Sequence, residues 1–188
     1  LTIRGHRAGG AGDPTAPAHR ARRDDERKAA MFPSSSTLPE EDRARIVEAL
    51  NARLADGLDL HSQLKVAHWN VRGPQFPSLH PLFESFADRL SAYNDALAER
   101  AVALGGRARG TARVVAATST LLDYPAETSR DIHHVRLLAD RIEVYLRGLK
   151  ASRVMIEELD DVDTAGLLTT VITEFEKHHW FLRASQEA

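Results

Sequence analysis

From residue 39 onward, large apolar residues recur every three or four positions in four long runs, the spacing that an α-helix turns into a buried stripe. The first run carries Ile46, Leu50, Leu54, Leu58 and Leu64. It opens on Pro39-Glu40-Glu41-Asp42, acidic residues suited to the positive end of a helix, and Gly73-Pro74 ends it. The second is predicted over Ser78–Leu104 and stops at Gly105-Gly106, with Leu79, Phe83, Phe86, Leu90, Tyr93, Leu97 and Leu104 on one face. The third covers Ser129–Leu159, with Ile132, Val135, Leu138, Ile142, Leu146, Leu149 and Ile156 as its inward stripe. The fourth covers Thr164–Ser185 and carries Leu168, Val171, Ile172, Phe175, Trp180 and Leu182. A short helix is expected across Thr111–Leu122, before the break at Tyr124-Pro125. Four long helices with a long connection between the second and third give an all-α four-helix bundle that departs from simple up-down connectivity.

The second helix also carries a charged flank. His80, Glu84, Asp88, Asp95 and Glu99 lie roughly 100–200° around the axis from Leu79. Such a flank is ordinarily a solvated face. His80/Glu84 and Asp95/Glu99 are nevertheless both i, i+4 pairs, so each can aim two side chains at one point. Imidazole with carboxylate suits ferrous iron, and a chain without cysteine has no thiolates to make a structural zinc site. Glu84 and Asp95 are eleven residues apart, which is about 16 Å along the axis. Metal–ligand bonds of about 2 Å cannot span that distance. If the two pairs serve one ion, the His80/Glu84 end of one chain must meet the Asp95/Glu99 end of another, as an antiparallel two-fold contact allows. A further candidate, His68, lies near the end of the first helix, where a histidine more often compensates the helix dipole than binds metal.

The segments KVAHWNVRGPQF, LHPLFESF and DALAERAVALGG, with EKHHWFLRA near the C-terminus, resemble the Dps family of ferritin relatives across residues 45–184. The resemblance implies a hollow dodecamer that oxidises Fe(II), with hydrogen peroxide or O₂, and stores ferric mineral. Its catalytic metal sites would take His68, His80 and Glu84 from one subunit and Asp95 and Glu99 from its neighbour, with Trp69 beside them to absorb radical equivalents. Lys65, one turn before His68, is either a surface lysine, the commoner case, or a contact of the residues around the site. Two departures from the family pattern stand out: Glu84 where aspartate is usual, and Gly166 where many members carry an acid at the iron-entry pore. Asp160, Asp161 and Asp163 are candidates to compensate for the second.

Residues 1–38 are poor in large apolar residues and read as a disordered, mildly basic tail ahead of the helical domain at 39–188; residues 1–30 are alternatively a leader before Met31. Seven basic residues before Met31 are diluted by Asp13, Asp24, Asp25 and Glu26, so the tail reads as a solvated segment or, alternatively, as a nucleic-acid arm, and DNA is a candidate partner only through it. The competing function is a DNA-compacting nucleoid protein with little ferroxidase activity. A competing metal site would use Asp131-x-x-His134 and Glu176-x-x-His179 within one bundle. A net charge of −2, no cysteine and no membrane-length apolar run fit a cytoplasmic protein.

Overall fold

The four apolar runs fold as four long helices, with one short helix between the second and third. In the computed structural model, which describes residues 31–186, they are α1 Glu40–Asn70, α2 Phe76–Ala103, α3 Ala112–Thr118, α4 Asp131–Glu157 and α5 Val162–Ala184. Among the described residues there is no strand, and no helix is long and apolar enough to cross a membrane. The helices pack as two hairpins, α1 on α2 and α4 on α5, joined through α1 against α4. Leu60, Leu64, Phe83, Leu90, Leu138, Ile142, Leu149, Leu168 and Phe175 are fully buried between them. Tyr93 is half-buried. Trp180 is 63% exposed although it continues the apolar run of α5.

The turn from α1 to α2 is fastened to the start of α4. Arg72 and Arg130 form a parallel β-bridge, with Arg72 N–H donating to Ser129 O (2.8 Å) and Asp131 N–H donating to Arg72 O (2.9 Å). Gly73 has φ +140°, and a Cβ there would lie 2.3 Å from an Asp131 carboxylate oxygen. Glycine is therefore required twice over, by conformation and by space. This fastening holds the last turn of α1 beside the first turns of α2.

The connection from α2 to α4 is sewn onto α1 by buried polar side chains. Asn51 accepts from Arg109 N–H (2.7 Å) and donates to Arg107 O (3.0 Å). Asp56 accepts from both the N–H (2.7 Å) and the hydroxyl (3.0 Å) of Thr120. Ser119 donates to Asp59 (2.6 Å), and Gln63 donates to Leu122 O (3.1 Å). These bonds satisfy Ser119–Leu122 outside a helix, which is why α3 stops at Thr118 and not at Leu122.

Residues 1–30, which carry the candidate nucleic-acid arm, lie outside the described residues. Phe32–Leu38 read as tail from composition, yet this segment is tied to the end of α2. Phe32 N–H donates to Gly105 O (2.7 Å), Ser34 donates to Ala103 O (2.6 Å), and the Arg107 guanidinium sits 4.6 Å from the Phe32 ring. Hydrogen bonds to backbone carbonyls, which composition does not register, anchor it.

His178 gives the fold a pH dependence. Its ring stacks on Phe86 (3.8 Å between centroids) and is only 5% exposed. Burial pushes its pKa down to about 4, against the opposing pull of Glu174, whose carboxylate is 3.2 Å away. Between about pH 6.5 and 4 the unfolded chain takes up a proton that the folded chain refuses. Stability should therefore fall with pH across that window, by on the order of 2–3 kcal/mol, and level off below it. Denaturant titrations at pH 7.5 and 5 on wild type and His178→Leu check this. The variant should lose part of the slope and keep the rest, because burial also lowers the pKa of His134. Equal slopes would show that His178 is not the group responsible.

Candidate metal centre

His68 ends α1 and His80 begins α2, and the fastened turn brings the two rings face to face, with centroids 3.8 Å apart and planes inclined by 24°. Each ring is locked by the backbone of the other residue. His68 Nδ1 is 2.8 Å from His80 O, and His80 Nδ1 is 2.8 Å from His68 O. A carbonyl can only accept, so each Nδ1 carries its proton, and Nε2 is the nitrogen left with a lone pair. This is the arrangement by which a protein orients histidines as metal ligands. Glu84, one turn along α2 from His80, places Oε2 3.4 Å from His68 Nε2. The same oxygen accepts from Lys65 Nζ (2.5 Å). That hydrogen bond is the main reason the Glu84 carboxyl is held below the usual carboxylate range; desolvation opposes it, and the nearby histidines contribute further.

Asp95 and Glu99 lie farther along α2, exposed, and neither has a hydrogen-bond or ion-pair partner among the described residues. Asp95 borders an open groove of about 690 Å³ between α1 and α2, together with Leu54, Leu58, His61, Asp88 and Ala98. The structure thus brings together His68, His80 and Glu84, and leaves Asp95 and Glu99 apart from them on the same helix. Among the described residues, no three His, Cys, Asp or Glu side chains of the single chain are grouped to hold a metal ion. Trp69 is 67% exposed, with Lys65 Nζ 5.9 Å from its ring centre.

A family description of the ferritin-like domain matches residues 47–187. The DNA protection during starvation protein of Agrobacterium fabrum is 32% identical over 151 residues, spanning 80% of this chain and 93% of the relative. The chain belongs to the Dps family of ferritin-like proteins. Among solved Dps structures, DpsA14 from Streptomyces coelicolor superposes with a TM-score of 0.80 at 31% identity, covering 85% of this chain and 96% of that one. The Vibrio cholerae Dps protein, described as a member of a broad superfamily of ferritin-like diiron-carboxylate proteins, superposes with a TM-score of 0.79 at 25% identity, covering 84% and 99%.

In this Dps chain the competing carboxylate–histidine pairs are engaged elsewhere. The Asp131 carboxylate accepts from Gln75 N–H (3.0 Å) and Ile132 N–H (2.8 Å), and Tyr124 OH lies 2.6 Å from His134 Nδ1. Glu176 pairs with Lys150 (2.6 Å), and His179 accepts from Arg183 (3.3 Å). Two sequence readings are resolved. Of the two readings of Lys65, contact with the site holds and the free surface lysine does not, since its ammonium bonds Glu84. Asp161 is not a free pore acid. It caps α5 by accepting from Thr164 N–H (3.1 Å), pairs with Arg100 (2.8 Å) and is only 5% exposed. Asp160 and Asp163 are exposed, and Gly166 has nothing within 4 Å of where a side chain would begin.

Proposed function

We propose that this protein is a ferroxidase and iron store, oxidising Fe(II) at sites that two copies complete and holding the ferric product inside a hollow dodecamer. The observation that carries this reading is the reciprocal lock of His68 and His80, which leaves an Nε2 lone pair on each ring, that of His68 3.4 Å from the Glu84 carboxylate. Two imidazoles and one carboxylate make a mixed set that tolerates ferrous and ferric iron but leaves an ion under-coordinated. Asp95 and Glu99 of a second copy supply the remaining oxygens. The diiron-carboxylate superfamily of the Vibrio cholerae relative supports iron as the substrate.

The reaction is two Fe(II) plus hydrogen peroxide plus two protons giving two Fe(III) and two waters. Delivering both electrons to one peroxide avoids hydroxyl radical. The chain's own residues fix geometry and charge and form no covalent bond to substrate. Trp69, exposed beside the histidines, offers an oxidisable ring to any one-electron oxidant that escapes. Removing Fe(II) and peroxide together protects nearby DNA, in keeping with the name of the Agrobacterium fabrum relative and with a cytoplasmic location.

Stopped-flow oxidation of Fe(II), with peroxide and separately with O₂, tests this. Peroxide should be the faster oxidant, and His80→Ala should lower the rate by at least about tenfold. Glu176→Ala/His179→Ala should remain close to wild type. An unchanged rate in His80→Ala would remove the site.

A further inference from the structure

We propose that Asn94 and Tyr145 bind hydrogen peroxide inside the bundle, at a notch left by Gly57, and hold it ready for the iron site. The use of the peroxide rests on the ferroxidase reading above; the notch belongs to a single copy. On α2, Asn94 takes a place in the buried stripe between Leu90 and Leu97, and on α4 Tyr145 does the same between Ile142 and Leu149. Asn94 is 4% exposed and Tyr145 has no exposed surface. Neither amide atom of Asn94 nor the Tyr145 hydroxyl has a hydrogen-bond partner among the described residues. Polar groups withdrawn from water are rarely left so in a folded protein. The three groups gather where α1 has no side chain. A Cβ on Gly57 would lie 2.1 Å from Asn94 Oδ1 and 3.2 Å from Tyr145 Oη, so the two oxygens are close enough for one small molecule to bond both.

The donors and acceptors define the ligand. Asn94 offers one acceptor and an NH₂ donor. Burial, reinforced by Asp56 and opposed by Arg53, pushes the Tyr145 phenol above its usual range, so it keeps its proton and can donate as well as accept. Arg53 and Asp56 themselves pair at 3.1 Å, which leaves no net charge for an ion to answer. The ligand is therefore small, uncharged and able both to donate and to accept. Water and hydrogen peroxide fit that description; O₂, with no proton to donate, does not. Peroxide has two O–H donors and lone pairs on both oxygens, enough to engage all three groups at once. Location favours peroxide over water. Asn94 lines the groove that Asp95 also borders, so a molecule entering between α1 and α2 reaches the notch and the acid from one side. Oxidant held there stands one residue along α2 from a proposed iron ligand, at a raised local concentration.

The test has two arms, both on the full-length assembled protein. The first leaves iron out and compares metal-free crystals of wild type with and without a hydrogen peroxide soak. A two-oxygen molecule bonded to Asn94 and Tyr145 after the soak is expected. A water that the soak does not displace, or an unchanged notch, overturns the proposal. The second arm compares Fe(II) oxidation by limiting peroxide and by O₂. Asn94→Leu and Tyr145→Phe should each lower the ratio of peroxide rate to O₂ rate by about threefold to tenfold, the effect of losing one hydrogen bond. A disturbed fold or a displaced Asp95 would slow both oxidants alike and leave that ratio unmoved. Tyr145→Phe removes a single oxygen, so the arm does not depend on the Asn94 variant folding. An unchanged ratio in both variants means binding at crystal concentration only and overturns the role. If wild type oxidises no Fe(II) while the soak places peroxide on Asn94, the binding site stands and the ferroxidase reading falls.

Discussion

Subunits carrying His80→Ala and subunits carrying Asp95→Ala, each nearly inactive when pure, are expected to regain about a quarter of wild-type ferroxidase activity when assembled together in equal amounts. The reasoning is geometric. Each two-fold pair would hold two sites, each using the histidines of one copy and the acids of the other. In a mixed pair one site collects both lesions, and the other takes His80 from the Asp95→Ala copy and Asp95 from the His80→Ala copy. Random pairing makes about half of all pairs mixed, and half of the sites in those pairs are intact. An intrachain site predicts no recovery, because every chain then carries a lesion in its own centre. Native mass spectrometry confirms that mixed pairs have formed. Mixed pairs without recovered activity would overturn the two-copy site, whatever the single variants do.

Why the fold was legible and parts of the site were not follows from what each depends on. Apolar residues at helical spacing fix which face of a helix is buried, and Phe83, Leu90, Leu138 and Phe175 are buried as their spacing requires. Trp180 is counted with such a run yet stays exposed, because it lies about 140° around α5 from Phe175, whereas Leu182 lies within about 20° of it. Gly73-Pro74 and Gly105-Gly106 mark helix ends because glycine and proline act locally. His68, His80 and Glu84 were legible as candidates from spacing and family resemblance. What the spacing could not reveal was the exchange of Nδ1 bonds between His68 and His80, since it depends on how the turn folds against Asp131. Polar residues inside the bundle were the least legible. Asn51, Asp56 and Gln63 belong to no apolar stripe, yet they are buried because the connection lies across them and uses their hydrogen bonds. Burial of a polar side chain is decided by what the rest of the chain offers it, and no local pattern records that.

Arg53→Met is expected to cost about 3–5 kcal/mol of stability, the largest single effect anticipated outside the apolar core. Asp56 has no exposed surface, and Arg53 Nη2, 3.1 Å from its Oδ2, is its one cationic partner among the described residues. The other oxygen of Asp56 takes both bonds from Thr120 that hold the connection down. Removing the guanidinium leaves a carboxylate in the bundle with its charge uncompensated, whereas an exposed pair such as Glu143–Arg147 contributes only a few tenths of a kcal/mol. Removing both charges should cost much less than the two single changes added together, because the desolvation penalty of each group leaves with it. Gly148→Ala gives an independent approach to the same pair. A Cβ there would fall 1.5 Å from Arg53 Nη1, so the guanidinium must leave its place and Asp56 loses its partner without any charge having been deleted. Denaturant unfolding at fixed protein concentration compares Arg53→Met, Asp56→Leu, the double variant and Gly148→Ala. Additive single changes, or a Gly148→Ala protein as stable as wild type, would mean that Asp56 is held by Thr120 and not by Arg53.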